Sequence, residues 1–217
     1  ITLTAQNNIF DLLGSVSSAV STNDQTGATL NVTNNKFMNQ VYSGSKPLLR
    51  TIYTKNTLST ITGNDFTNNG HNIYIVGTGA NSSVVSGNRF TTAGIAVLTG
   101  AISGVTVTNN DFVSGGGIYA DVTSNLTVTN NSFASGVTFA AWFTSSIGAG
   151  NVVTNNSLLS QYTFGGPAYE GITLFNFSGS QTVGATCNWY GSANAAAVAA
   201  KISGSFTSTP WLVNAGT

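Results

Sequence analysis

The stretch VTNNDF, at residues 107–112, carries the pattern that decides the fold of this chain. An aliphatic residue is followed by Thr or Ser, any residue, Asn, any residue and an aromatic residue. Close copies occur at residues 32–37 (VTNNKF), 61–66 (ITGNDF), 85–90 (VSGNRF) and 128–133 (VTNNSF). Weaker copies occur at residues 5–10 (AQNNIF), 153–158 (VTNNSL) and 185–190 (ATCNWY). The chain is therefore built of repeats.

The motif Asn recurs at a spacing that is typical of stacked repeats. It falls at Asn8, Asn35, Asn64, Asn88, Asn110, Asn131, Asn156 and Asn188, which gives steps of 21 to 32 residues. Steps in this window indicate a solenoid in which each repeat is one coil. Unequal steps are compatible with stacking, because insertions go into loops while the strands stay aligned.

The residues before the motif Asn alternate as in a β-strand. In residues 125–131 (NLTVTNN), Leu126 and Val128 are expected to point into the core, and Thr127 and Thr129 to point outward. The Asn is expected to turn inward and bond backbone groups at the corner, so that stacked coils about 4.8 Å apart form an asparagine ladder. The following aromatic residue re-enters the core.

A second short strand follows in most coils, separated from the first by Gly-rich residues. It is predicted at residues 73–76 (IYIV), 95–98 (IAVL), 118–121 (IYAD), 137–143 (VTFAAWF) and 172–175 (ITLF). The sequence therefore predicts an all-β fold, a right-handed parallel β-helix (solenoid) of about eight coils over residues 1–191.

The last residues differ in composition from the coils. Residues 192–201 (SANAAAVAAK) form an alanine-rich segment that predicts a short helix with Ser192 as its cap. We expect residues 192–217 to be a C-terminal cap with this helix and a final strand or tail, continuous with the coils in one domain. No equivalent cap is visible at the first coil, and an uncapped coil end can polymerise.

The composition excludes several classes of partner. Only 6% of the 217 residues are charged, against roughly 25% in average soluble proteins, and the formal net charge is zero. The scattered Lys and Arg leave no basic patch for nucleic acid, and no apolar run is long enough for membrane insertion. Residues 1–10 lack the features of a signal peptide, so we expect the sequence to be a processed product or a fragment.

The C-terminal residues carry a family resemblance. The repeated motif, joined to CNWYG at residues 187–191, the alanine-rich stretch and TPWL at residues 209–212, resembles the secreted right-handed β-helix proteins of Bacteroidota. In such precursors this region often precedes a sorting domain that is removed during type IX secretion. The resemblance covers nearly the whole chain and implies an extracellular or cell-surface location. It implies no single activity, because the fold hosts lyases, hydrolases, adhesins and structural proteins.

The acidic residues do not suggest an active site. Polysaccharide-cleaving enzymes need paired or clustered carboxylates, whereas the six acids here are dispersed. Asp65 and Asp111 both follow a motif Asn, but Arg89 lies between them and Lys36 precedes them, which predicts a surface charge ladder. We therefore predict no catalytic residue.

Other polar candidates also have ordinary structural interpretations. Asp121 and Glu170 are interpreted as solvated surface residues, His71 as a solvated turn residue and Cys187 as a buried thiol. Residues 115–121 (GGGIYAD) do not match a calcium-binding glycine-rich repeat. No metal site and no cofactor site are predicted.

Two outward-facing sets of residues form a candidate contact face. The first is a row of hydroxyl residues directly after the inward aliphatic residue of each motif, and it comprises Thr33, Thr62, Ser86, Thr108, Thr129 and Thr154. The second is the pair Tyr74 and Tyr119, predicted to be two coils apart with Ala96 between them, which could contact sugar rings or pack at the edge of the core.

These observations lead to three hypotheses. The first is a non-enzymatic structural or adhesive β-helix that self-associates on the cell surface or in a filament, as a homo-oligomer without nucleic-acid or membrane partners. The second is a carbohydrate-binding or polysaccharide-degrading β-helix, the latter a lyase or a glycoside hydrolase, with glycans as partners. The third is an ice-binding protein that uses the Thr row.

Overall fold

The chain forms a parallel β-solenoid, and the predicted fold class is confirmed. The computed structural model describes residues 1–15, 17–40, 51–70, 72–92, 95–163 and 167–214. Strands are numbered along the chain, and most turns of the solenoid add one parallel strand to each of three long sheets, which contain nine, seven and eight strands.

The first sheet contains the strands that precede the Asn corner. Its nine strands, in spatial order, are β1 (Thr2–Gln6), β4 (Thr29–Thr33), β7 (Leu58–Thr62), β10 (Val84–Ser86), β14 (Thr106–Thr108), β18 (Thr127–Thr129), β21 (Val152–Thr154), β24 (Val183–Gly184) and β26 (Phe206–Thr207). The alternation predicted for residues 125–131 is confirmed, because Leu126 and Val128 are buried while Thr127 and Thr129 lie at the outer surface.

The second sheet contains the strands that follow the corner. Its seven strands are β2 (Ile9–Asp11), β5 (Lys36–Met38), β8 (Asp65–Thr67), β11 (Arg89–Phe90), β15 (Asp111–Gly115), β19 (Ser132–Val137) and β22 (Ser157–Leu158). The motif aromatic of each strand enters the core, where successive Phe rings stack, for example Phe112 on Phe133 with ring centroids 4.5 Å apart. This stack runs from Phe10 to Phe133 and forms the centre of the solenoid.

The third sheet completes the coil. Its eight strands are β3 (Val20–Thr22), β6 (Ile52–Lys55), β9 (Ile73–Val76), β12 (Ile95–Thr99), β16 (Ile118–Ala120), β20 (Ala141–Phe143), β23 (Leu174–Asn176) and β25 (Ile202–Gly204). A short two-stranded sheet, β13 (Ile102–Ser103) with β17 (Thr123–Ser124), and a 3-10 helix at Thr78–Ala80 lie on the way back to the first sheet.

Two predicted second strands differ from the structure in their bounds. The segment 137–143 is divided, because Val137 ends β19 of the second sheet and Ala141 begins β20 of the third. The segment 172–175 becomes strand only at Leu174. Both segments pass a corner of the coil, and a continuous apolar run does not reveal where the chain turns.

The C-terminal helix α1 (Ala195–Ala199) is capped by Asn194, so the prediction that Ser192 caps it is wrong. The Asn194 Oδ1 accepts hydrogen bonds from the backbone N–H groups of Ala196 and Ala197, whereas the Ser192 hydroxyl accepts one from Asn194 N–H. Ser192 therefore orders the turn that precedes the cap. Val198 anchors the helix in the core, and no helix in the described part of the chain has the length and apolarity to span a bilayer.

Candidate functional site

The motif Asn residues form a continuous hydrogen-bonded ladder at the corner between the first and second sheets. The Asn64 Oδ1 accepts hydrogen bonds from the backbone N–H and from the side-chain Nδ2 of Asn35, at 2.9 and 3.1 Å. The same pair of bonds links each successive member from Asn8 to Asn188. All members except Asn8 are buried, so the ladder is a structural element rather than a binding surface.

The residue before each ladder Asn lies in the left-handed region of backbone space. The φ angle is 55° at Asn109, 65° at Gly63 and 58° at Cys187. Asn and Gly tolerate this conformation better than other residues do. This explains why Asn or Gly occupies the position in all coils except the one that contains Cys187. The motif as defined from the sequence allows any residue here, although Asn or Gly precedes the ladder Asn in seven of the eight copies. Cys187 is half-buried rather than buried, because this corner position faces outward.

The Thr row lies on the outer surface of the first sheet. The register aligns Thr33, Thr62, Ser86, Thr108, Thr129 and Thr154 in one column, all half-buried. A second column two residues earlier contains Thr60, Thr106 and Thr127 with Val84 and Val152 between and beside them. The two columns together are called the hydroxyl face. None of the described strands of the first sheet contains Asp, Glu, Lys or Arg.

The charged column lies on the outer surface of the second sheet. Lys36, Asp65, Arg89 and Asp111 are neighbours in consecutive strands. Arg89 Nε lies 3.5 Å from an Asp111 carboxylate oxygen, and both side chains are more than half exposed. The guanidinium lies between the two carboxylates in register, so they do not form an acid pair for hydrolysis.

Neither Asp121 nor Glu170 has surroundings that suggest a catalytic role. Asp121 is half-buried and accepts hydrogen bonds from the hydroxyls of Thr99 and Thr144, at 2.9 and 2.6 Å, so it is not simply a solvated residue. Its position directly after β16 brings hydroxyls from both neighbouring coils into reach. Glu170 is exposed. His71 lies outside the described residues.

Metal ligands and enclosed acids are not grouped in the described part of the chain. No cluster of three or more His, Cys, Asp or Glu residues occurs there. An open cleft of about 670 Å³ is lined by uncharged residues, namely Leu13, Gly14, Asn39, Gln40, Asn68, Asn69, Gly70 and Thr92. This lining supplies no carboxylate for acid–base work.

The third sheet carries an outer column of aromatic residues. The register aligns Tyr53, Tyr74, Val97, Tyr119, Trp142 and Phe175. The prediction that Ala96 separates Tyr74 from Tyr119 is wrong, because a register shift between Ile95 and Val97 places Val97 there. Tyr74 instead stacks on Tyr53, with ring centroids 5.4 Å apart, and Tyr119 stacks on Trp142 at 6.4 Å.

Trp142 is the centre of an aromatic cluster that the sequence did not reveal. Its ring lies 4.8 Å from Phe175, 5.1 Å from Phe177, 5.7 Å from Phe139 and 6.0 Å from Tyr162, measured between centroids. Tyr169 contacts Phe175 from the same loop as Tyr162. These residues, with Tyr119, are called the aromatic cluster. The signal was an aromatic residue as the second residue of five of the eight third-sheet strands, β6, β9, β16, β20 and β23.

Comparison with known proteins gives one match. The family model described as right handed beta helix region matches residues 49–186. No curated protein and no solved structure matches the chain. The match covers more than half of the sequence and includes the aromatic cluster and the hydroxyl face except Thr33.

Proposed function

Because this chain belongs to the right-handed β-helix family, we propose that it is a non-enzymatic extracellular structural module whose copies pack side by side through the hydroxyl face. The family fold by itself is compatible with enzymes and adhesins, so the proposal depends on the surfaces of this chain. The absence of an acid pair among the described residues supports a non-enzymatic role.

The observation that carries the proposal is the uncharged outer surface of the nine-stranded first sheet. Surface charge of one sign keeps copies of a protein apart, and a surface without charged side chains lacks this repulsion. Here the outward positions are hydroxyl, amide and aliphatic side chains, and Leu58 is 38% exposed on the outer surface of the same sheet. A flat surface of this kind can approach a second copy without burying an unpaired charge.

The dimensions of the face favour weak, repeated contacts. Its six strands, from β4 to β21, are spaced about 4.8 Å apart and make it roughly 25 Å long, and strands of three residues make it about 10 Å wide. A second copy would bury roughly 500 Å² in all, which is well below the 1,200–2,000 Å² or so of stable specific interfaces, so a single contact is weak. Such a contact becomes stable when many copies are held together at a surface or in a filament.

We further propose a location at the cell surface, on the basis of the resemblance of the C-terminal residues to Bacteroidota surface proteins. We place the protein at the cell surface or in the medium, after type IX secretion. The low content of charge supports a surface of amides and hydroxyls, but location remains part of the proposal. Detection of the protein in the outer-membrane and medium fractions of the native cells, and its loss there when type IX secretion is disabled, is the corresponding test.

Self-association is tested by placing one charge at the centre of the face. Thr108 lies in β14, the middle strand of the first sheet, and Thr108→Lys would put like charges against each other in a two-fold pair. Ser132→Lys, on the exposed surface of the second sheet, is the matched control. Sedimentation velocity over a concentration series should show association of the wild type and of Ser132→Lys, and a monomer for Thr108→Lys. A monomeric wild type at all concentrations contradicts the proposal.

Ice is the alternative ligand that an ordered array of Thr side chains can bind. The aliphatic residues Leu58, Val84 and Val152 interrupt the array, which favours a protein partner over a water lattice. Inhibition of ice recrystallisation by the wild type, abolished by Thr108→Tyr, would assign the face to ice instead.

A further inference from the structure

The aromatic cluster lies on the outside of the solenoid, where the fold does not require aromatic residues. On β20, Phe143 points into the core while Trp142 points outward. The other two long sheets present hydroxyl and charged residues at the corresponding outer positions. The cluster is therefore an addition to the third sheet that stacking of the coils does not explain.

The rings are open to solvent at one side. Phe175 is fully covered, but Phe177 is 41% exposed and Tyr169 is 39% exposed. Trp142 lies 4.8 Å from Phe175 but 6.4 Å from Tyr119, and its plane is inclined by 28° to that of Tyr119. The wider spacing leaves the Tyr119 side of the indole less closely packed than the Phe stack of the core.

The loop that covers Phe175 is fixed to the solenoid. The backbone N–H of Gln161 donates to Val137 O, and the N–H of Tyr162 donates to Ile172 O. Gly171 N–H donates back to Tyr162 O at 2.8 Å, which closes the base of the loop. Tyr162 is thus held against Trp142 by backbone bonds, so this side of the cluster is preformed.

The chemistry of the cluster suits a neutral sugar. Trp and Tyr combine an apolar ring with a polar group, and pyranose rings likewise have apolar C–H faces and polar hydroxyls. Burial raises the pKa of the Tyr119 phenol, and the negative charge of the nearby Asp121 raises it further. The Asp121 carboxylate accepts two hydrogen bonds from threonines and has further lone pairs for sugar hydroxyls.

Charge excludes acidic glycans. Strands β16, β20 and β23 contain no Lys or Arg, while Asp121 and the exposed Glu170 supply negative charge close by in the chain. A polyuronate would meet repulsion from both carboxylates, and the cation on the C-terminal side, Lys201 before β25, is half-buried.

We infer that the aromatic cluster around Trp142 is a binding site for a neutral polysaccharide, with Asp121 as a hydrogen-bond acceptor at its rim. The site lies on a different sheet from the hydroxyl face, so it does not depend on self-association. It extends the proposed function by giving a structural module a means to hold a glycan matrix.

The test is a pull-down of the full chain on insoluble neutral polysaccharides, namely cellulose, mannan, xylan and curdlan, and on calcium alginate and pectate gels as acidic probes. At least one neutral polysaccharide should retain the wild type. Trp142→Ala should lower the association constant at least tenfold, and Phe177→Ala several-fold. Tyr53→Ala, in the same outer column four coils away, is the matched control and should bind as the wild type does.

Three results would overturn the inference. They are no retention by any neutral polysaccharide, retention by the acidic gels alone, and unchanged retention of both Trp142→Ala and Phe177→Ala. Phe177 is exposed, so Phe177→Ala keeps the test valid even where Trp142→Ala unfolds. Thr108→Lys should be retained like the wild type, which separates this site from the hydroxyl face.

Discussion

The Asn110 Oδ1 accepts two hydrogen bonds from Asn88 of the preceding coil, one from the backbone N–H at 2.9 Å and one from Nδ2 at 3.0 Å. The Asn110 Nδ2 in turn donates to Val85 O at 3.0 Å and to the Asn131 Oδ1 at 2.9 Å. One buried amide therefore satisfies polar groups of three successive coils.

Asn110→Ala should be among the most destabilising single changes in the coils. It removes the acceptor of the buried Asn88 N–H and of one Asn88 Nδ2 hydrogen, and the Nδ2 donor of the Val85 carbonyl, and each unsatisfied group costs about 1–3 kcal/mol. We expect the free energy of unfolding, measured by urea denaturation, to fall by about 3–5 kcal/mol. Asn109→Gly, at the neighbouring left-handed position, should change it by less than about 1 kcal/mol. Equal effects of the two changes would contradict the role of the ladder.

Cys187 occupies the left-handed corner position at φ 58° that Asn or Gly holds in the other coils. Cys has no local hydrogen bond that favours this conformation, which costs roughly 1 kcal/mol for most residues. Cys187→Gly should therefore raise the free energy of unfolding by about 0.5–1 kcal/mol. Cys187→Val should lower it, because a β-branched side chain is the least tolerant of positive φ. Thermal denaturation of both variants checks the sign of each change.

Phe112 lies in the middle of the core stack, between Phe90 and Phe133 with centroids 4.8 and 4.5 Å away. Phe112→Ala should lower the free energy of unfolding by about 3–5 kcal/mol, because it removes a fully buried ring and leaves a cavity. Phe177→Ala, on the outer surface, should lower it by less than about 1 kcal/mol. The comparison, made by urea denaturation, separates rings that hold the coils together from rings available to a ligand.

Tyr190 is buried at the C-terminal end of the core, and its hydroxyl donates to Ala185 O at 3.2 Å. Burial raises the pKa of its phenol to about 12, although a side-chain bond with Asn188 opposes the shift. A phenol with a raised pKa stabilises the fold fully below its unfolded pKa of about 10 and loses this contribution as the pH rises towards 12. Alkaline denaturation should therefore contain a component in this range that is absent from Tyr190→Phe. Identical alkaline profiles for the two proteins would contradict it.

The repeat was predictable from sequence because its signal is local. Each coil places an inward aliphatic residue, a corner Asn and an inward aromatic residue within six positions, and the same spacing returns eight times. Stacking needs no long-range information beyond this pattern. The direction of Leu126 and Val128 followed for the same reason.

The features that the sequence did not predict depend on strand register, on where the chain turns, and on competition between two nearby cap residues. The register shift beside Ala96 decides which residue separates Tyr74 from Tyr119, and nothing in IAVL marks it. Trp142 lay inside an apolar run whose turn was not apparent, so its outward direction was missed. Ser192 and Asn194 are both good caps, and the choice depends on where Val198 reaches the core.

Cross-linking between copies tests the central claim, lateral packing through the hydroxyl face, most directly. In a Cys187→Ser background, Thr108→Cys places a thiol on the middle strand of the first sheet and Ser132→Cys places one on the exposed second sheet. Under mild oxidation, the account predicts disulfide-linked dimers of the Thr108→Cys protein and few of the Ser132→Cys protein. Equal cross-linking of the two proteins, or none of the first, would contradict it.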